Sequence, residues 1–157
     1  MRFLIVGLGS MGKRRVRCLR ALGYQHIFGF DARADRRQEA VEKYGIETFD
    51  DFARAFDRAR PAALIISVPP DVHHEFVHAA IERGVHFFVE ASVLDTGLER
   101  AIEQLKGTNI VAAPSVTLWF HPAIRMIAKI VADRELGPIS NVLYHSGQYL
   151  PDWHPYE

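Results

Sequence analysis

The chain has 157 residues, 48% of them hydrophobic, enough for about one ordinary domain with a real core. Its 19 basic residues balance its 19 acidic ones, so no global field draws nucleic acid or an anionic membrane, and no run approaches the ~20 apolar residues that span a bilayer. The one cysteine, Cys18, excludes an internal disulfide framework and fits a reducing, cytoplasmic setting; its place in an amphipathic segment predicts a core filler.

Residues 2–7 (RFLIVG) predict a first strand, apolar throughout, as when both faces of a parallel sheet are covered. A helix follows over 12–22, with Val16, Leu19 and Leu22 at helical spacing and Gly23 as its stop. Its basic run KRRVRCLR, residues 13–20, reads as a solvated helix face rather than a nucleic-acid patch. Next come a strand at 26–31, a helix at 34–44 ending before Gly45, and a short strand near Glu47–Phe49. Asp50 or Asp51 caps a short helix through Phe56. After a strand at 63–68, a helix beginning near His73 puts Phe76, Val77, Ala80 and Ile81 on one stripe and stops at Gly84. Residues 86–90 form the next strand, Thr96 and Glu99 make a T-x-x-E capping box for a helix to about Lys106, and 109–114 form another strand. Residues 122–132, strongly apolar, predict a largely buried helix.

This alternation predicts an α/β fold, a doubly wound parallel sheet with right-handed crossovers. The pattern changes after Glu135–Pro138, where residues 139–150 read as one long extended segment. A strand of that length needs partners, and nothing downstream can pair with it. Residues 1–120 are therefore expected to form a nucleotide-binding domain. Residues 121–157 supply the connecting helix and first strand of an incomplete second domain, unless that strand is used between subunits.

The chemistry concentrates at strand ends. Gly7-x-Gly9-x-x-Gly12 directly follows a strand and opens a helix, with Ser10 and Met11 between its last two glycines. In that context Gly7 permits a tight turn, Gly9 lets a pyrophosphate approach the backbone, and Gly12 lets helix and strand pack closely, while free N–H groups at the helix start bind phosphate. Nineteen residues beyond Gly12, Asp31 ends the second strand, where a carboxylate accepts the hydroxyls of an adenosine ribose. Asp31 favours NAD by repelling a 2′-phosphate; Arg33 and Arg36 argue for NADP. The turn Ser67, Val68, Pro69, Pro70 and then His73 lie at the carboxyl edge of the sheet, the ligand-binding side of such folds. His74 and His78 have the spacing of a metal pair without a third ligand, so no metal is expected. Glu90 ends an apolar strand, a costly place for a carboxylate without a task.

With these residues assembled, the chain resembles the glucose–fructose oxidoreductase / inositol dehydrogenase / MocA family of nicotinamide-dependent enzymes. The segment SVPPDVHHEFVHAAIERGVHFFVE is similar to the family's T-P-x-x-x-H…A-L-x-x-G-x-H-V-x-x-E-K-P block, with Pro69, His73, Gly84, His86 and Glu90 at matching positions. Phe120 and Pro122 match a common R-F-x-P segment leading to the family's second domain. The resemblance implies a Rossmann domain followed by a substrate domain that often mediates homo-oligomers, and hydride transfer to or from a sugar-like hydroxyl or carbonyl. Chains of the family run to roughly twice this length, so the resemblance implies an N-terminal piece of a dehydrogenase, inactive alone. It places Pro69, His73 and Glu90 on the nicotinamide side. Four positions depart: Ala91 stands for the family lysine, Ser92 for its proline, Trp119 for an arginine, and Arg15 for a histidine in the first helix. Ala91 cannot ionise, which keeps a nicotinamide sensor without turnover as the alternative. His121 and His154 are proton-transfer candidates by residue type only. An S-adenosylmethionine methyltransferase shares the glycine loop and acidic strand end but not the PPDVHHE…VE block.

Overall fold

The computed structural model describes residues 1–91 and 94–145. Met1–Ser115 forms one compact unit, and a second begins at Val116. In the first, β1 (Phe3–Val6), β2 (Ile27–Phe30), β3 (Glu47–Phe49), β4 (Ala63–Ile66), β5 (His86–Val89) and β6 (Ala112–Pro114) make one sheet in the order β3-β2-β1-β4-β5-β6. Every pairing is parallel, with Phe3 opposite both Ile27 and Ala63, and Ile66 opposite Val89. The order reverses beside β1, which opens a crevice at the carboxyl ends of β1 and β4.

Alternate side chains of each strand serve opposite faces. Phe3, Ile5 and Ile65 pack with Val16 and Leu19 of α1 (Ser10–Ala21) and Ala40 of α2 (Ala34–Tyr44). Leu4, Val6, Leu64 and Ile66 pack with Ala55 and Ala59 of α3 (Phe52–Ala59) and Ala80 of α4 (His73–Glu82). Leu4, Ile5, Val6, Leu64 and Ile66 are fully buried. Each contributes roughly 1.5–3 kcal/mol against being left in water. The edge strands β3 and β6 have only three residues each, and Glu47 at the start of β3 pairs with Arg58 at 3.1 Å.

Several local expectations change. In α1, Val16 and Leu19 are buried, but Leu22 is the C-cap and is 73% exposed. Cys18 is exposed rather than core filler. It stands about 200° around the helix from Val16 and about 100° from Leu19, off the buried stripe. The Asp51 side chain accepts the Arg54 N–H at 2.8 Å, and α3 runs on to Ala59. The Thr96–Glu99 capping box does not form: α5 is Leu98–Leu105, and its N-cap is Gly97 at φ 73°. A left-handed residue turns the chain into this helix, and a β-carbon there would lie 3.0 Å from His78 Nε2.

In the second unit a 3-10 turn, Thr117–Phe120, leads into α6 (Pro122–Ala132), whose N-cap His121 accepts the Ala123 N–H at Nδ1. No residue of α6 is buried, contrary to the expected largely buried helix; Met126 is 67% exposed. An apolar pattern states what a face could bury, not that a covering surface is present. Residues 139–145 are not strand, and 146–150 of that expected strand lie outside the described residues, as do Ser92 and His154. Among the described residues no helix is long and apolar enough to cross a membrane.

Candidate functional site

The glycine motif folds into a loop whose three members do different work. Gly7 has φ +90°, and a β-carbon on it would stand 2.6 Å from the Ser67 carbonyl oxygen. At Gly12 it would stand 1.8 Å from the Gly7 carbonyl oxygen, so helix and loop touch backbone to backbone. At Gly9 the nearest atom is Arg36 Nη1 at 3.6 Å, which leaves the loop open where a ligand approaches. Gly9 is also the N-cap of α1, with no side chain capping it and no acid in the first turn. The N–H groups of Ser10, Met11 and Gly12 have no carbonyl within the helix to bond, and the positive end of its dipole is unneutralised. That is the local chemistry of an anion site.

Asp31 lies at the end of β2, beside this loop, and is 6% exposed. Its Oδ2 accepts the Leu8 N–H at 2.7 Å and its Oδ1 the Arg33 N–H at 2.9 Å. Arg36 Nη1 stands 3.6 Å from Oδ2. The carboxylate thus ties the glycine loop to the end of β2, a role sequence reasoning missed because Leu8 carries no side-chain signal of it. The Arg33 side chain forks onto Asp35, with Nη2 2.6 Å from Oδ2. Gly7, Asp31, Arg33, Arg36, Val68 and Pro69 line one cleft of about 320 Å³.

The turn after β4 closes the other side. The Ser67 N–H bonds the Val6 carbonyl at 2.7 Å, and its Oγ is buried without a partner among the described residues. His73 Nε2 donates to the Val68 carbonyl at 2.8 Å, which fixes the ring against the turn. His73, Glu90, Ala91 and Ser115 line a second cavity of about 290 Å³.

Glu90 has a partner that the sequence named without connecting. Arg15 Nε donates to Oε1 at 2.6 Å and Nη2 to Oε2 at 2.9 Å, a bidentate fork. The Arg15 guanidinium carbon sits 4.6 Å over the Phe88 ring. The hydrogen bond to Glu90 raises the arginine's already high pKa against the opposing effect of burial. The acid at the strand end is therefore compensated by a cation from α1. His74 lines the second cavity, whereas His78 Nδ1 bonds Gln104 Oε1 at 2.8 Å.

Taken together, the open Gly9, the uncapped α1, the spare Ser67 hydroxyl and the cleft beside Asp31 fit a dinucleotide. Residues 1–97 match the oxidoreductase family with an NAD-binding Rossmann fold. A 4-carboxy-2-hydroxymuconate-6-semialdehyde dehydrogenase of Sphingobium sp. is 27% identical over 137 residues, covering 84% of this chain and 44% of its own length. A D-xylose 1-dehydrogenase (NADP(+)) of Haloferax volcanii is 25% identical over 156 residues, covering 97% and 48%. The chain thus spans less than half the length of these curated relatives. Among solved structures, myo-inositol 2-dehydrogenase from Lactobacillus plantarum superposes with a TM-score of 0.81 at 22% identity, over 88% of this chain and 43% of the other. Scyllo-inositol dehydrogenase from Lactobacillus casei, with bound NAD(H) and scyllo-inositol, gives 0.78 at 22% identity, over 89% and 43%. The strand order seen here and the family match over the glycine loop, Asp31 and Glu90 agree: the chain belongs to this oxidoreductase family and carries its NAD-binding Rossmann domain.

Proposed function

We propose that this chain is the nicotinamide-dinucleotide-binding part of an oxidoreductase that transfers a hydride to or from a hydroxyl or carbonyl of a sugar-like substrate. The observation that carries the reading is the uncapped start of α1 at an open Gly9, beside a buried Asp31. In it, Gly7, Gly9 and Gly12 shape the phosphate loop, with the Ser10 and Met11 N–H groups pointing their dipoles at the phosphates. Asp31 and Arg33 hold the adenosine end, and Ser67, Val68 and Pro69 line the turn. His73 and Glu90 shape the nicotinamide side. The cofactor when bound supplies the hydride chemistry; the protein orients it and excludes water. Ala91 offers no proton, so the general acid or base comes from a group other than the residue after Glu90.

Residues 1–120 take the cofactor role, and 121–157 begin a substrate and oligomerisation domain. The change from parallel sheet to an exposed apolar α6 supports that division. The sugar-like substrate is supported by the xylose and inositol in the relatives' names. The single cysteine fits a cytoplasmic setting. Ala91 also favours a second reading, an NAD(P) sensor without turnover. Titration of this chain with NADH, NADPH and S-adenosylmethionine, followed by turnover assays of the full-length protein on a sugar panel, separates these readings. Nicotinamide binding with turnover is the expected result. Binding without turnover selects the sensor, and no nicotinamide binding by the full-length protein defeats both.

A further inference from the structure

The Arg15–Glu90 pair joins the helix that opens at the glycine loop to the end of β5. Both ends are held. The Glu90 N–H bonds the Ile66 carbonyl at 3.0 Å, and the Arg15 guanidinium is stacked on Phe88. The Glu90 side chain is only 13% exposed and lines the cavity that also holds His73 and Ala91. A carboxylate has about four lone-pair sites on its two oxygens. The fork takes one on each, and the remaining two suit a pair of vicinal hydroxyls. A neutral acid in the same place would offer one donor and a weaker acceptor.

We infer that Arg15 is a positioning residue for the cofactor: it locks Glu90 as an anionic acceptor for the vicinal diol of the nicotinamide-side ribose, using a cation that does not titrate. The inference rests on the nicotinamide-binding reading above. The resembled family pattern has a histidine at this position, and a histidine changes charge between about pH 5 and 8. A guanidinium keeps its charge throughout that range and adds the planar fork. The chain therefore holds by a permanent charge and two donors what an imidazole, once deprotonated, would hold by a single neutral N–H.

The charged and titratable groups around Glu90 among the described residues are Arg15, with Cys18 one turn further along α1, and His73 and His74 of α4. Among the described residues, the other elements at this cavity bring groups without charge: Pro114 and Ser115 at the end of β6, Leu94, Thr96 and Gly97 before α5, and Leu98 and Ala101 of α5. Because the two histidines stay in every variant, profiles are compared between variants and the unmodified chain.

The test measures dissociation constants for NADH and for ADP, which lacks the nicotinamide-side ribose but needs the same glycine loop. Arg15→Met and Glu90→Gln are expected to weaken NADH at least about tenfold and ADP by less than about twofold. Arg15→His is expected to keep the NADH-to-ADP affinity ratio near that of the unmodified chain at pH 5.5. The ratio then falls as pH rises through the titration of the imidazole, which the Glu90 carboxylate moves above the ordinary value of about 6.5. Equal loss of both ligands would reduce the pair to a structural clamp and overturn the inference. So would unchanged NADH affinity, or an Arg15→His profile that tracks the unmodified chain. An unmodified chain that binds ADP but neither NADH nor NADPH defeats the nicotinamide reading itself, a result distinct from any failure confined to the variants.

Discussion

Replacing Gly12 by alanine should destabilise the fold, and replacing Gly9 should weaken cofactor binding while leaving the fold nearly intact. A β-carbon at Gly12 would sit 1.8 Å from the Gly7 carbonyl oxygen, and contacts under 3.0 Å are essentially never found. Loop and helix must part by about 1.2 Å, and both obstacles are backbone. Moving α1 outward also loosens Val16 and Leu19, which it inserts into the core. Overpacking costs typically about 1–3 kcal/mol, and the rigid neighbour puts this site near ~3 kcal/mol. With a urea dependence of about 1–3 kcal/mol/M, the unfolding midpoint followed by circular dichroism falls by about 1–3 M. At Gly9 the new methyl meets only the Arg36 guanidinium at 3.6 Å. Gly9→Ala therefore loses about 1 kcal/mol or less, the cost of a poorer N-cap. On the proposed reading its methyl occupies the approach of the pyrophosphate, and NADH affinity is expected to fall by at least about tenfold. A Gly12→Ala protein with an unmoved midpoint, or a Gly9→Ala protein that loses as much stability, would refute this division of labour.

Two further outcomes follow from the side chains around the loop. Asp31→Ala leaves the Leu8 N–H without its buried acceptor and should cost about 1–3 kcal/mol in urea unfolding, whereas Asp31→Asn, which keeps one acceptor oxygen, should cost less; equal stability of all three proteins would count against the tether. Lys13 and Lys43 hold the Glu39 carboxyl down to about 2. Its folded value lies below the ordinary one, so its contribution is present above the usual carboxylate range and is lost as pH falls toward 2. A carboxyl-carbon NMR titration should place its midpoint near 2, and a midpoint near 4.5 would contradict the bridge between α1 and α2.

Much of this site is legible because its signals are local. Apolar runs without alternation at 2–7, 63–68 and 86–90 mark strands covered on both faces, and Gly7-x-Gly9-x-x-Gly12 marks the turn between the first strand and its helix. Asp31 is found by its distance from Gly12. What it touches is not found that way, because the Leu8 N–H reaches it across 23 positions and exists only once β1 and β2 are paired. Arg15 and Glu90 are 75 positions apart, and each alone reads as a departure or an oddity; only their meeting over Phe88 explains the acid. The Thr96–Glu99 pattern misleads because Gly97, at positive φ against His78, decides where α5 starts. For α6, periodicity identifies the helix correctly, while the number of faces it hides depends on surfaces outside its own sequence.

The short margins of the sheet carry a consequence for assembly. A strand from another molecule that docked beside β6 would meet a ladder of three residues, the last of which is Pro114 with no N–H to give. Beside β3 it would meet three residues again, led by a charged Glu47. Neither side offers the long row of unpaired backbone groups that templates sheet extension. The sheet is in that sense a finished object in its lateral direction. A companion of this unit would find more surface on its helices and loops than along these two margins, and the carboxyl edge, where the glycine loop, Asp31 and Glu90 gather, lies away from both.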